Sequence, residues 1–523
     1  MLPTLRIEKR LYESKTARII VPILSLAFAL LLGSMLLWSV GANPGDTYVA
    51  MFAGALGGRY AFSETLLKAT PIILCALGVS IAFRMLFWNI GAEGQLAMGG
   101  FAAAGVALFV PTNYPDLPVW IALLLAFLAA FLAGAVWILV PALLKAFFKV
   151  NEIITTLMLN YVAVLWIEYL FYGPWKDPKG YGFPGSAQFI KEMWLGRIQH
   201  GWVQPAIVLL IGGVLLSLGL SLLAAPVARR QAWLGLISGA ITVMLGWLAA
   251  PYLSELAIVV TTFLTQGWLL PEGAGQAATV ALLWLTLSLS LLMVSVARRG
   301  LAALQQSHYT GIVNFAVATF LGGMAAGQVV LLIVLLAGTR VHVGFLIGLA
   351  AAAFIWLVLG RTKWGYEIRV IGENPRAAMY AGVNLARNII LVAILSGGLA
   401  GLAGFSEVLG VSHRLQKGLT VGYGYTAILV AWLAGLNPWG IIIWGILWAA
   451  LLVGGDQIQI SMNLPAAMAP SLQGLIVFCV LGGQFLITHR LRLVWPESGD
   501  WASARTASLS SATSVDGEGD IET

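Results

Sequence analysis

Apolar runs of about 18 to 25 residues recur along almost the whole chain, the length an α-helix needs to cross a hydrocarbon layer of about 30 Å. The runs are continuous rather than alternating, which excludes a β-barrel. Inside lipid the backbone must satisfy its own hydrogen bonds, so runs of this kind fold as helices. Charged residues make up 10% of the 523 positions, against about 25% in a soluble domain. The fold class that follows is an all-α polytopic membrane protein.

Basic residues mark where the runs end. Arg6, Lys9, Arg10, Lys15 and Arg18 precede a first span near 19–40, which is too long for a signal-peptide core and lacks a small-residue cleavage site. With that basic end in the cytoplasm, spans near 64–83, 90–110, 119–144 and 152–172 alternate, returning to Arg84, Lys145 and Lys149 on the inner side. A polar outer loop rich in Gly, Pro and charge follows. Four runs near 204–225, 231–251, 276–297 and 311–338 come next. Five more near 342–360, 387–410, 420–436, 438–456 and 469–488 bring the total to about fourteen spans. The run at 420–436 is short and flanked by glycine, so a re-entrant loop is its other reading. His489, Arg490 and Arg492 close the last span, which puts both termini in the cytoplasm.

The expected organisation is a cytoplasmic segment 1–17, an N-terminal half 18–202, an inserted block 203–338, a C-terminal half 339–490 and a tail 491–523. That is a core of about ten transmembrane helices plus an inserted group of about four. The tail is small, polar and mildly acidic, hence disordered. The net charge of +7 sits largely at span ends and gives no reason to invoke nucleic acid. Cys75 and Cys479 lie in apolar helices and read as buried, inert thiols.

One stretch cannot sit in lipid. Residues 364–384, WGYEIRVIGENPRAAMYAGVN, carry both signs of charge, and parity places them in the cytoplasm. Asn374 is an N-cap, Pro375 occupies the first helical position, RAAMYA is a run of helix formers, and Gly382 is a stop. The code is for a two-turn helix off the membrane, too short to stand alone. It must rest on span ends, on the bilayer surface or in a partner.

GENPRAAMYAGVN after GYEIR resembles the cytoplasmic coupling loop of ABC importer permeases, in the branch serving simple sugars, nucleosides and branched-chain amino acids. FRMLFWNIGAEGQLAMGG (83–100), VNEIITTLMLNYVA (150–163), LAGLAGFSEVLGV (399–411) and LAGLNPWGI (433–441) resemble further segments of the same family. The resemblance implies that Gly372, Glu373, Asn374, Pro375, Ala378 and Gly382 form a joint with a separate ATP-binding subunit. It implies that ATP and magnesium act on that partner, with no cofactor on this chain, which is then not itself an enzyme. A second permease, in a homo- or heterodimer, and an extracytoplasmic substrate-binding lipoprotein are the other implied partners. The implied setting is a bacterial plasma membrane, with its lipid, and the implied cargo a nucleoside or simple sugar. The chain departs from the family at 203–338, where relatives of this type run almost directly from the outer loop into the next span. An even number of extra crossings keeps the coupling loop inside.

Polar side chains within spans are expensive, and they face a protein interior or an aqueous path. Asn89, Glu93 and Gln95 sit in a Gly-rich stretch where the helix breaks; Asn160 lies deep in its span, and Glu407 near the outer end of its own. All five are candidates for a translocation path. Cross-linking of the broken helix remains open for the first three and an interhelical bond for Asn160. A carboxylate simply reaching water remains open for Glu407. Asn151 with Glu152 reads as a helix cap, and SGGLAGLAG (396–404) as a close-packing surface. No G-x-x-x-x-G-K-[ST] loop is present, so ATP is not hydrolysed on this chain. An ion-coupled secondary transporter is the alternative, but it would want acids or histidines at mid-span, and these are sparse. A membrane transferase has only the outer loop around Lys176 and Asp177 to offer.

Overall fold

The computed structural model describes residues 4–9, 15–181, 183–198, 339–465 and 467–494. The inserted block 203–338, with its four expected spans, and residues 495–523 of the expected tail lie outside the described residues. Two compact units divide the chain, residues 1–45 with 470–523, and residues 46–469.

In the first unit, α1 (Lys15–Ser39) meets α13 (Met468–Thr488) where Gly483 admits the side chain of Ser25. Strand β1 (Thr4–Lys9) pairs antiparallel with β2 (His489–Val494), Leu5 opposite Leu493 and Ile7 opposite Leu491. This ribbon is a departure from the all-α expectation, and β2 takes up residues 491–494 of the stretch expected to be disordered. The reason is local: TLRIEK and HRLRLV both alternate apolar and charged residues, the period of a strand.

The second unit carries α2 (Pro44–Leu56), α3 (Arg59–Arg84), α4 (Ala92–Asn113), α5 (Val119–Phe148) and α6 (Glu152–Tyr172). It continues with α7 (Val343–Arg361), α8 (Lys363–Glu373), α9 (Pro375–Tyr380), α10 (Leu385–Glu407), α11 (Tyr423–Leu433) and α12 (Pro438–Ser461). Helix α2 replaces what the sequence presents as an exit loop. Asn43 accepts a hydrogen bond from Gly45 N at 3.0 Å and Pro44 opens the helix, the same Asn-Pro start that opens α9 and α12. Among the described residues, seven helices are long and apolar enough to cross a membrane, or eight if Leu24–Ser39 and Pro44–Leu56 form one broken span. The chain is a multi-pass helical membrane protein.

Helix α3 is the central post: its most apolar window is 94% buried within the protein. Helix α10 packs against α3, α4 and α5 through its small residues. A Cβ on Gly397 would strike the Gly134 carbonyl, one on Gly401 the Ala130 carbonyl, and one on Gly404 the backbone of Leu96 and Gly100. Lipid tails are as apolar as leucine, so helices gain little by hiding from them and depend on this close van der Waals contact.

The second unit has two distinct ends. At one, the loop after α6 is laced to its neighbours by Ser186 N to Leu415 O (2.7 Å), Phe189 N to His413 O (2.9 Å), Leu195 N to Leu409 O (2.9 Å) and Ile198 N to Val341 O (2.9 Å). His342 is buried there. Its Nδ1 caps α7 by accepting from Gly344 N at 3.0 Å, and burial, then nearby His413, push the imidazole down to about 4. Between Asp177, Tyr181, Arg414 and Lys417 this end opens a cavity of about 500 Å³. At the other end Arg84 closes α3, donating to Leu436 O at 3.2 and 2.8 Å.

Candidate functional site

Between α3 and α4 the backbone from Met85 to Gly91 is not helical, and it lies inside the bundle. Non-helical backbone at that depth survives only if protein satisfies it. One stripe of α6 does so. Glu152, Thr156 and Asn160, four residues apart and so on one face, take Trp88 N at 3.4 Å, Ile90 N at 3.3 Å and Gly94 N at 2.9 Å. Asn160 Nδ2 returns a bond to Ile90 O at 3.0 Å and another to the Tyr425 hydroxyl at 3.1 Å. Glu152 is buried, and Lys145 Nζ neutralises it at 2.6 Å.

Asn89 and Gln95 close the break from the other side. Asn89 Nδ2 donates to Gln95 Oε1 at 3.0 Å and to Ser396 Oγ, at the midpoint of α10, at 2.9 Å. Its Oδ1 accepts from Gln95 Nε2 at 2.8 Å and Gly91 N at 2.9 Å. An amide has two donors and two acceptor sites, so Asn89 has none left.

Glu93, 3% exposed, reaches across to α11. Its Oε1 accepts from Gly422 N at 2.7 Å and its Oε2 from Gly424 N at 2.6 Å. Gly422 precedes α11 with φ +86°, a region costly for other residues. At Gly424 a Cβ would collide with the Glu93 backbone. Helix α11 is therefore a half-helix, beginning beside α4 inside the bundle and ending near Arg84. The ten residues before it run non-helically from the laced end at His413. Its positive N-terminus points inward and is occupied by a carboxylate of the same chain.

The stretch 364–384 folds as two helices, α8 and α9, where the sequence suggests one. Amphipathic α8 buries Ile368 and Ile371 and leaves Tyr366 exposed. Gly372 lets α8 meet α3, since a Cβ there would run into the Arg84 carbonyl. Asn374 Oδ1 caps α9, accepting from Arg376 N at 3.0 Å and Ala377 N at 3.2 Å. Gly382 ends it at φ +77°, and Ala378 is buried beneath it. The outward residues are Glu373, Arg376, Met379 and Tyr380, the last 94% exposed.

The structure thus brings Asn89, Glu93, Gln95 and Asn160 into one network. It places Glu407 apart, at the end of α10, in electrostatic reach of Lys68 and Tyr423. Gly372, Glu373, Asn374, Pro375, Ala378 and Gly382 lie together at the Arg84 end. Sequence reasoning passed over Ser396, Tyr425 and the Gly422–Gly424 amides, which have no local signature. It also passed over the ion pair Lys68–Asp456, although two charged residues inside apolar runs are a legible signal. Among the described residues no three of His, Cys, Asp and Glu come together to hold a metal ion.

Multiple spans, an internally sealed helix break, a half-helix ending inside the bundle and a capped surface helix at one end define a membrane protein of transporter architecture. The chain belongs to the family described as branched-chain amino acid transport system / permease component, which matches residues 61–226 and 206–481. It is similar to the glucose ABC transporter permease protein TsgB13 of Haloferax volcanii, 26% identical over 483 residues covering 92% of each chain. It is also similar to the guanosine ABC transporter permease protein NupP of Bacillus subtilis, 24% identical over 89% of this chain and 94% of the relative. The nucleoside ABC transporter permease protein NupB of Lactococcus lactis is 20% identical over 90% and 92%. No solved structure matches the chain.

Proposed function

We propose that this chain is the membrane permease of an ATP-driven importer for a neutral polyhydroxylated solute, a nucleoside or a simple sugar. An external lipoprotein delivers the solute and a separate subunit hydrolyses ATP with its magnesium. In this reading the α8–α9 end and both termini are cytoplasmic, in a bacterial plasma membrane. A core of about ten spans is joined by about four in 203–338, and a second permease completes the path. The cavity at the laced end faces the binding protein. The names of the relatives, which act on glucose, guanosine and nucleosides, support the substrate class.

The observation that carries the coupling is the construction of α9. Asn374, Pro375, Ala378 and Gly382 shape it, and Gly372 seats the adjoining α8 on α3, which leaves Glu373, Arg376, Met379 and Tyr380 facing outward. A short helix held rigidly on a span end, with an unpartnered aromatic at its tip, suits a groove on another protein. Glu93 bears on the solute. Because it fills the N-terminus of α11, that helix end holds no free site for an anion, which favours neutral cargo. Asn89, Gln95 and Asn160 then form the rigid wall of the path and Glu407 its more open side.

The test is purification of the tagged chain from its native membrane in mild detergent. The wild type should bring an ATPase and a lipoprotein with it. Glu373→Arg and Tyr380→Ala should lose the ATPase, and uptake with it, while remaining monodisperse, and Gly372→Pro should uncouple by unseating α8. Uptake surviving both surface changes, or gradient-driven uptake by the chain alone, would overturn the reading in favour of an ion-coupled carrier.

A further inference from the structure

Helix α3 is almost entirely enclosed by protein, yet one narrow strip of it is polar and open. Tyr60, Glu64 and Lys68 are four residues apart and so share a face. Tyr60 is exposed, and Glu64 Oε1 accepts from Arg340 Nη1 at 2.9 Å. Lys68 pairs with Asp456 of α12. The strip starts at the end where the loops are laced and reaches nine residues into α3, about 14 Å along its axis.

The pair at its foot is not sealed. The Lys68 and Asp456 side chains are 30% and 60% exposed, whereas Glu152, paired with Lys145, is 4% exposed. Behind the pair stands Glu407, 9% exposed, with Lys68 as its charged neighbour. Tyr423 is buried within electrostatic reach of Glu407, Asp456 and Glu93. Charged side chains at such depth are retained where they face an aqueous path.

We propose that Lys68 and Asp456, backed by Glu407 and Tyr423, form a binding station for the hydroxyl groups of a neutral solute on its way through the protein. This rests on the permease reading above. A hydroxyl donates and accepts at once. The station offers an ammonium that only donates and a carboxylate that only accepts, with a second carboxylate and a phenol in electrostatic reach. A sugar ring with adjacent hydroxyls can bridge Asp456 and Lys68. Charge-assisted bonds give orientation, and the half-hydrated setting keeps them weak enough for release. An anion would meet two carboxylates and is disfavoured.

The experiment uses the chain with its native partners in vesicles, with glucose and guanosine as probes. Lys68→Met and Asp456→Asn should each raise the KM for uptake at least tenfold, with thermal stability near wild type. The reversed pair, Lys68→Asp with Asp456→Lys, should not recover, since it presents exchanged groups to the solute. A pair with a merely structural role would be rescued by reversal, and a wild-type KM there would overturn the proposal. Independently of transport, Asp456→Cys should react with a membrane-impermeant maleimide added from the laced end, and glucose or guanosine should slow that reaction. A cysteine that does not react, or that neither solute protects, would also overturn it. Protection without ATP-dependent uptake by the wild type would sustain the station and defeat the importer reading instead.

Discussion

Two polar regions lie within the helices of this protein, and they are built on opposite terms. Around the α3–α4 break, Asn89, Glu93, Gln95, Glu152 and Asn160 are all buried, and each is bonded to backbone or to another side chain of the chain itself. Along the first third of α3, Glu64 and Lys68 are also paired, but their partners Arg340 and Asp456 stay 45% and 60% exposed. The first region satisfies a backbone that has left the helix. The second has polar capacity to spare for something that comes and goes. Polarity inside a membrane does not by itself mark a transport site; whether the fold has already used it does.

The sharpest way to break that contrast is Glu93→Leu. It strands the Gly422 and Gly424 amides in an apolar interior, each costing about 1–3 kcal/mol, so thermal unfolding in detergent should show a loss of about 2–6 kcal/mol in total. Glu93→Gln, which keeps an acceptor, should lose less.

A buried group outside the break tests the same rule through pH. His342 is held at about 4 by burial and by His413, which has Arg197 and Arg340 as its own charged neighbours. The folded state therefore binds its proton more weakly than the unfolded state. Stability should be complete above the unfolded value of about 6.5 and fall as pH drops towards 4, by up to about 3 kcal/mol. His342→Asn keeps an acceptor for Gly344 N and removes the titration. The acid limb of the stability profile should flatten in that variant, and an unchanged limb would assign it to other groups.

Asn160→Leu removes three bonds but leaves room for water at Tyr425, so a loss of about 2 kcal/mol is expected by the same melting assay. The smallest effect belongs to the open strip. The double change Lys68→Met with Asp456→Asn should alter stability by less than about 1 kcal/mol, as for a solvated ion pair, although transport suffers. A large loss of stability there would erase the distinction between the two regions.

Much of the stretch 364–384 is legible in the sequence because its signals are local. Asn374, Pro375 and Gly382 act within a few residues of where they stand, and the cap bonds form as the code requires. The identical Asn-Pro start at Asn43 opens α2, but its 13 residues are too few to announce a span in the sequence. The run at 420–436 was rightly suspect for its length. Its character as a half-helix rests on Glu93, whose partner amide at Gly422 is 329 residues away in sequence.

The sequence by itself determined that this chain enters a membrane as many helices, because about 20 apolar residues have no other way to satisfy their backbone there. It also determined where helices start at Asn-Pro and where small residues let them touch. Only the tertiary structure decided which polar groups are used up and which remain open. Hydrogen bonds at 2.6–3.4 Å between segments 64 to 331 residues apart depend on how the helices pack. No residue records in its own neighbourhood the partner that packing will bring.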